Sequence, residues 1–237
     1  MPLKSILIIV FFPPAVKDQN SCQTSSVKLL FALSVMKTTK AVIFDWGGVL
    51  IDDPAPGLMQ FCADALGVSK KIYTQTHLKF VADFQTGKIS ENRFWTLICK
   101  DLNVSKPKAL SLWAEAFKTV YSPKTEMFAL ARLLQKKGCK TAVLSNTEKP
   151  AMKYFHRQRY NVFDVKIFSC TVGIKKPDRK IYELVLQKLK VKSNEAVFID
   201  DRKDFLGGAK KAGLKTILFK NVRQVKAGLK KFGVETG

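Results

Sequence analysis

Four short stretches of this chain carry acidic, hydroxyl or basic side chains at the ends of apolar runs or in loops. Ala41-Val42-Ile43-Phe44 leads into Asp45-Trp46-Gly47-Gly48-Val49-Leu50, and Val143-Leu144 leads into Ser145-Asn146-Thr147. Val197-Phe198-Ile199 leads into Asp200-Asp201-Arg202-Lys203-Asp204. Between them, Gly173-Ile174-Lys175-Lys176-Pro177-Asp178 sets a pair of lysines before a proline. Two adjacent carboxylates at the end of a buried strand repel each other unless a cation sits between them, so Asp200 and Asp201 ask for one. Carboxylate and carbonyl oxygens are hard ligands, suited to Mg²⁺.

The elements that must position these residues follow from hydrophobic period. From Pro123 onward the spacing predicts helices over 125–137, 149–159 and 178–189, and one from about 203 that stops at Gly213. Short apolar strands are expected over 140–144, 165–169, 196–199 and 216–219, with a basic helix at the end. Alternating strands and helices with short connections imply an α/β fold, a Rossmann-like parallel sheet covered on both faces. Ligands in such sheets bind at the carboxyl ends of the strands, where Asp45, Ser145 and Asp200-Asp201 fall.

The stretch from about Pro54 to Ser122 differs in character. Helical patterns over 58–66, 72–84, 91–102 and 109–121 alternate with Gly67-Val68-Ser69, Gly87-Lys88-Ile89-Ser90 and Ser105-Lys106-Pro107. Phe80, Phe84, Phe94, Trp95, Leu97, Ile98, Leu112, Trp113 and Phe117 recur at helical spacing, as in the core of a small bundle. An insert after the first strand would lie above the strand ends, where a lid belongs. The expected organisation is an N-terminal extension over 1–36, an α/β core over 37–53 and 123–237, and a helical cap over 54–122.

Taken together, the four stretches resemble the haloacid dehalogenase-like hydrolase superfamily, in its subgroup with a helical cap inserted after the first strand. The resemblance runs from about Thr39 to Val222, and Gly-x-x-Lys-Pro-Asp and Phe-Ile-Asp-Asp are its most particular pieces. It implies a Mg²⁺-dependent phosphohydrolase in which Asp45 attacks phosphorus and forms an aspartyl-phosphate that water then cleaves. Gly47, Gly48, Ser145, Asn146 and Lys176 would bind the phosphate. Preorganised contacts of that kind each lower a barrier by roughly 2.7–4 kcal/mol. Asp45, the Gly47 carbonyl, Asp200 and Asp201 would hold the metal, and Asp204 would orient water or hold Lys176.

One position departs from the pattern. Family phosphatases usually carry a second Asp two residues after the nucleophile, as the acid that protonates the leaving group; here it is Gly47. Loss of a general acid costs about 10²–10⁴ in rate. Three readings stay open. The substrate can be one whose leaving group needs little help, such as an anomeric sugar phosphate or an acyl phosphate. The proton can come from Asp52, Asp53 or a cap residue. Or the protein is weakly catalytic and mainly binds phosphorylated ligands. Phe-Asp-Trp-Gly-Gly also looks like the Phe-Asp-Trp-Ala-Gly of phosphonoacetaldehyde hydrolases, which use a Schiff-base lysine in the cap. Lys88 lies in the right stretch, although Gly-Lys-Ile-Ser is equally an ordinary inter-helix turn. The Tyr that marks true dehalogenases is absent at position 47.

The formal charge of +22 over 237 residues attracts anions in general. The lysines are spread in small groups, which reads first as a solvated surface and second as a steering field. No nucleic-acid motif accompanies them. The expected partner is a small phosphorylated metabolite, with no specific nucleic acid and no membrane. Five scattered cysteines without a CxxC pair fit a reducing cytoplasm, with Cys62 and Cys99 in the core. The apolar runs 6–12 and 29–36 are too short to span a bilayer, and Met36 is the expected natural start, with a targeting segment as the alternative. His77 and His156 are expected at the surface or paired, and Trp46 at the cap junction.

Overall fold

The computed structural model describes residues 39–237. The expectations for 1–36, namely the two apolar runs, Cys22 and the start at Met36, lie outside the described residues.

Five parallel strands form one sheet: β1 (Ala41–Phe44), β2 (Lys140–Ser145), β3 (Val165–Phe168), β4 (Ala196–Asp200) and β5 (Lys215–Leu218). Their order is β3-β2-β1-β4-β5, with β1 in the middle. Ala41 pairs in register with Lys140 on one side and Ala196 on the other. The order reverses beside β1, which makes the crevice between β1 and β4 the switch point of the sheet.

Helices α1 (Ala55–Ala65), α2 (Lys70–Gln85), α3 (Glu91–Leu102), α4 (Leu112–Val120) and α5 (Thr125–Lys136) lie between β1 and β2 in the chain. After β2 come α6 (Lys149–Arg157), the single turn α7 (Ser169–Val172), α8 (Arg179–Leu189), α9 (Lys203–Lys211) and α10 (Val222–Lys231). All four residues of β1 are buried, as a strand covered on both faces requires. Their alternation divides two core layers. Val42 and Phe44 join the layer closed by α5, α6 and α10; Ala41 and Ile43 join the one closed by α8 and α9.

Helices α1 to α4 continue the first layer as a small aromatic bundle. Phe84, Phe94, Trp95 and Trp113 pack ring against ring, with the Phe84 and Phe94 centroids 4.4 Å apart. Cys62 and Cys99 are buried in it. Serines at 69, 90 and 111 cap α2, α3 and α4 by accepting the N–H of Ile72, Arg93 and Ala114. Ser111 as a cap explains why α4 begins at Leu112 rather than at the expected 109. In the same way Asp178, expected inside a helix, accepts the Lys180 N–H and stands just before α8. The helix expected to 159 ends at Arg157, and Arg159 takes a left-handed conformation of φ 51°.

The helices meet the sheet through Trp46, which lies 5.0 Å from the Phe117 ring of α4 and 5.1 Å from Phe155 of α6. At the other side of the seam, Gly87 turns with φ +70°, and an added Cβ would stand 2.4 Å from the Cys170 carbonyl oxygen. None of the described helices is long and apolar enough to cross a membrane.

Candidate active site

The site forms where the central strands end. Beyond β1, Asp45 donates its main-chain N–H to Ile199 O at 2.9 Å, so its backbone follows β4 for one more residue. Its Oδ1 accepts the Trp46 N–H at 2.7 Å and the Lys176 ammonium at 2.8 Å. The same ammonium donates to Asp200 Oδ2 at 2.8 Å. Asp200 Oδ1 accepts the Arg202 N–H at 2.8 Å. Lys176 is 1% exposed, and its Nζ lies 4.8 Å from the centre of the Phe205 ring. A buried ammonium is tolerated here because two carboxylates compensate it.

Carboxylate oxygens of Asp45, Asp200 and Asp201 lie within 4.8 Å of one another. Burial pushes the Asp45 carboxyl upward, the Asp200 charge adds to that, and Lys176 opposes both. Asp201 is also raised, by burial and then by Asp200. Desolvation works against the Lys176 ammonium, but Asp45 and Asp200 outweigh it and hold it above the ordinary lysine value. Three carboxylates with a single ammonium leave an excess of two negative charges, which suits a divalent hard cation. The donor set fits Mg²⁺, which Asp45 and Asp201 would hold by their carboxylates and Gly47 by its carbonyl. Each Asp200 oxygen accepts one hydrogen bond, so this carboxylate holds Lys176 and the turn at Arg202 while standing in the same acidic group.

Ser145 ends β2, is buried and lines the same cavity as Asp45 and Lys176. Asn146 is differently employed from the expected phosphate contact. Its Nδ2 donates to Lys176 O at 2.9 Å and its Oδ1 accepts the Lys176 N–H at 2.8 Å. Both halves of the amide thus pin the main chain that carries Lys176. Gly48 adopts φ +82°, and a Cβ there would come 2.2 Å from Asp201 Oδ2, so its role is to make room for that carboxylate.

Two further expectations need correction. Asp204 does not hold Lys176, although it lines the same cavity; its carboxylate takes the Arg202 guanidinium at 3.1 and 2.7 Å near the surface. His77 is only 6% exposed and stacks on Trp113 with the ring planes 2° apart. Burial pushes its imidazole down to about 4, so it is neutral at physiological pH. His156 is exposed as expected. Lys88 is exposed as well, stands 3.5 Å from Asp83 and is not among the residues that line the cavity. A Schiff-base role for it has no support.

A cavity of about 470 Å³ opens over the site. Its floor is Asp45, Gly47, Ser145, Lys176 and Asp201, and α1, α2 and α4 contribute Leu58, Met59, His77, Gln85, Trp113 and Phe117. Glu148 also lines it and is 5% exposed. It accepts the Trp113 indole N–H at 3.0 Å. Sequence patterns gave no notice of Glu148: it looks like the acidic start of a surface helix, and its partner is 35 residues away.

A family model for haloacid dehalogenase-like hydrolases matches residues 39–213, and the chain belongs to that family. It is therefore a hydrolase on an α/β core. Among its relatives, the rat bifunctional epoxide hydrolase 2 is 28% identical over 84% of this chain, which spans only 39% of that protein. A sesquiterpene phosphatase of Aspergillus oryzae is 24% identical over 75% of this chain and 88% of its own length. A haloacid dehalogenase family enzyme of Bacteroides thetaiotaomicron, solved with magnesium and inorganic phosphate, superposes with a TM-score of 0.62. It is 20% identical and covers 77% of this chain and 94% of its own. That likeness speaks for the fold.

Proposed function

We propose that the protein is a magnesium-dependent phosphohydrolase that cleaves a small phosphomonoester through an aspartyl-phosphate on Asp45. The observation that carries this reading is the arrangement at the ends of β1 and β4. There a buried lysine bridges two carboxylates, and a third stands within 4.8 Å, at the base of a cavity.

A bound Mg²⁺ would supply Lewis-acid neutralisation of the phosphoryl oxygens. The chain's own residues do the rest. Lys176 holds the Asp45 carboxylate by one oxygen, which leaves Oδ2 free to attack phosphorus. The same ammonium places a fixed positive charge where negative charge develops. Ser145 offers a hydroxyl from the end of β2, and the Asn146 clamp keeps Lys176 from moving away. Trp113 and Phe117 face the cavity, and their closing over a bound ester would exclude bulk water. Leu58, Met59, Trp113 and Phe117 make the cap side of the cavity apolar, which favours an alcohol with an apolar body; the phosphatase among the relatives supports the same direction.

The test is a panel of alkyl, aryl, sugar and acyl phosphates assayed with Mg²⁺, comparing wild type with Asp45→Asn. Turnover of at least one ester that is lost in the variant supports the reading. Equal rates for both proteins across the panel refute it.

A further inference from the structure

We propose that Glu148 is the proton donor for the leaving group, filling the role left empty at Gly47. This rests on the phosphohydrolase reading and deepens it.

The carboxyl groups that line the cavity are Asp45, Asp53, Glu148, Asp201 and Asp204. Asp45 and Asp201 belong to the nucleophile and metal set. Asp204 is bound to Arg202, and Asp53 is exposed and accepts the Ala55 N–H at 3.0 Å. Asp52, outside the cavity, is bound to Ser122 and Lys124. Glu148 differs from all of these. It is three residues beyond Ser145, on the loop that leaves β2, and it is buried at the meeting of that loop with α2 and α4. The Trp113 indole N–H fixes Oε2, and the Gln85 side chain and Glu148's own N–H also bond the carboxyl. Gln85 is itself tied to the core, since its carbonyl accepts the Ser169 hydroxyl at 2.6 Å.

Burial favours the neutral, proton-bearing form and raises the Glu148 pKa; its own N–H, Gln85, Trp113 and Lys175 pull the other way. The titratable groups facing it are Lys175, the Cys62 thiol, the Tyr73 hydroxyl and Cys170, with neutral His77 behind the Trp113 ring. Lys175 is the cation among them, and its own pKa is lowered by desolvation.

The step balances. Asp45 Oδ2 forms a bond to phosphorus as the P–O bond to the alcohol breaks, and the Glu148 proton passes to the departing oxygen. In the second half water attacks phosphorus, the Asp45–phosphorus bond breaks, and the proton of that water goes to the bulk, from which Glu148 is protonated again. One ester and one water give one alcohol and one phosphate, with both carboxyl groups restored.

The discriminating experiment compares an n-alkyl phosphate, whose alkoxide must be protonated, with p-nitrophenyl phosphate, whose phenolate need not be. In the full chain with Mg²⁺, Glu148→Gln should lower kcat on the alkyl ester about 10²–10⁴-fold and leave the nitrophenyl ester within about threefold. The wild type gives a reading that does not depend on the variant's folding. Its kcat should fall on the alkaline side for the alkyl ester and stay level there for the nitrophenyl ester. Equal losses on both esters, or matching alkaline limbs, would overturn the role of Glu148 while Asp45→Asn remained inactive. If instead wild type and Asp45→Asn turned over both esters equally, the phosphohydrolase reading itself would fall, and the Glu148 role with it.

Discussion

At Gly48 the backbone turns through φ +82°, and the space a side chain would need is held by the Asp201 carboxylate. Gly48→Ala therefore combines left-handed strain, of order 1–3 kcal/mol, with displacement of the Asp201 carboxylate, the ligand proposed for Mg²⁺. Isothermal titration should show Mg²⁺ binding weakened roughly 10–100-fold, the scale seen when support for a ligand is lost. His77 makes a prediction of a different kind. Its folded pKa of about 4 lies below the 6.5 of an ordinary histidine. The unfolded chain thus binds the extra proton more readily between those values, and stability is full above pH 6.5 and lost as pH falls towards 4. The drop amounts to about 3 kcal/mol, and denaturant melts at pH 7 and pH 4.5 should differ less in His77→Phe than in wild type.

Much of the site can be read at this scale. Asp45, Ser145, Lys176 and Asp201 stand in short local patterns because each must follow a strand or a tight turn directly. Asn146, His77 and Glu148 could not be placed that way. Their work is set by partners 30, 36 and 35 residues distant, which only the packing brings near.

Among the elements, the seam between α1–α4 and the sheet is the most demanding part. Helix spacing was sufficient to find the four helices within 54–122, since each has one apolar face and a serine or a proline near its start. Helix ends were less legible, because Ser111 and Asp178 serve as caps and only their hydrogen bonds reveal it. Trp46 fills the seam from below, between Phe117 and Phe155. Trp46→Ala should cost about 3–5 kcal/mol, measured by urea unfolding, as for other large aromatic deletions in a core. Gly87→Ala should push the α2–α3 turn off the Cys170 carbonyl, lowering kcat/KM more than it lowers Tm.

For the whole molecule, the order β3-β2-β1-β4-β5 brings residues from 45, 145, 176 and 200 to one edge, and that convergence was foreseeable from the strand–helix alternation. The surplus of acid at that edge stands inside a chain of net charge +22. A divalent cation that binds only the folded form should stabilise it by mass action, about 2.7 kcal/mol at a hundred times its Kd. For a chain of this size that corresponds to a rise in Tm of roughly 5–10 °C. Differential scanning fluorimetry with Mg²⁺ and with EDTA should register the rise in wild type and little of it in Asp201→Asn.

The bond from Trp113 to Glu148 also limits how modular the protein can be. Helices 55–120 look like a unit that could be exchanged to transplant one relative's substrate preference into another's core. Yet the indole belongs to the insert and the carboxylate to the scaffold. A graft that lacked a donor at the position of Trp113 would leave a carboxyl sealed away from water without its indole partner. Residue 148 and the loop around it would have to travel with the borrowed helices for such a chimera to work.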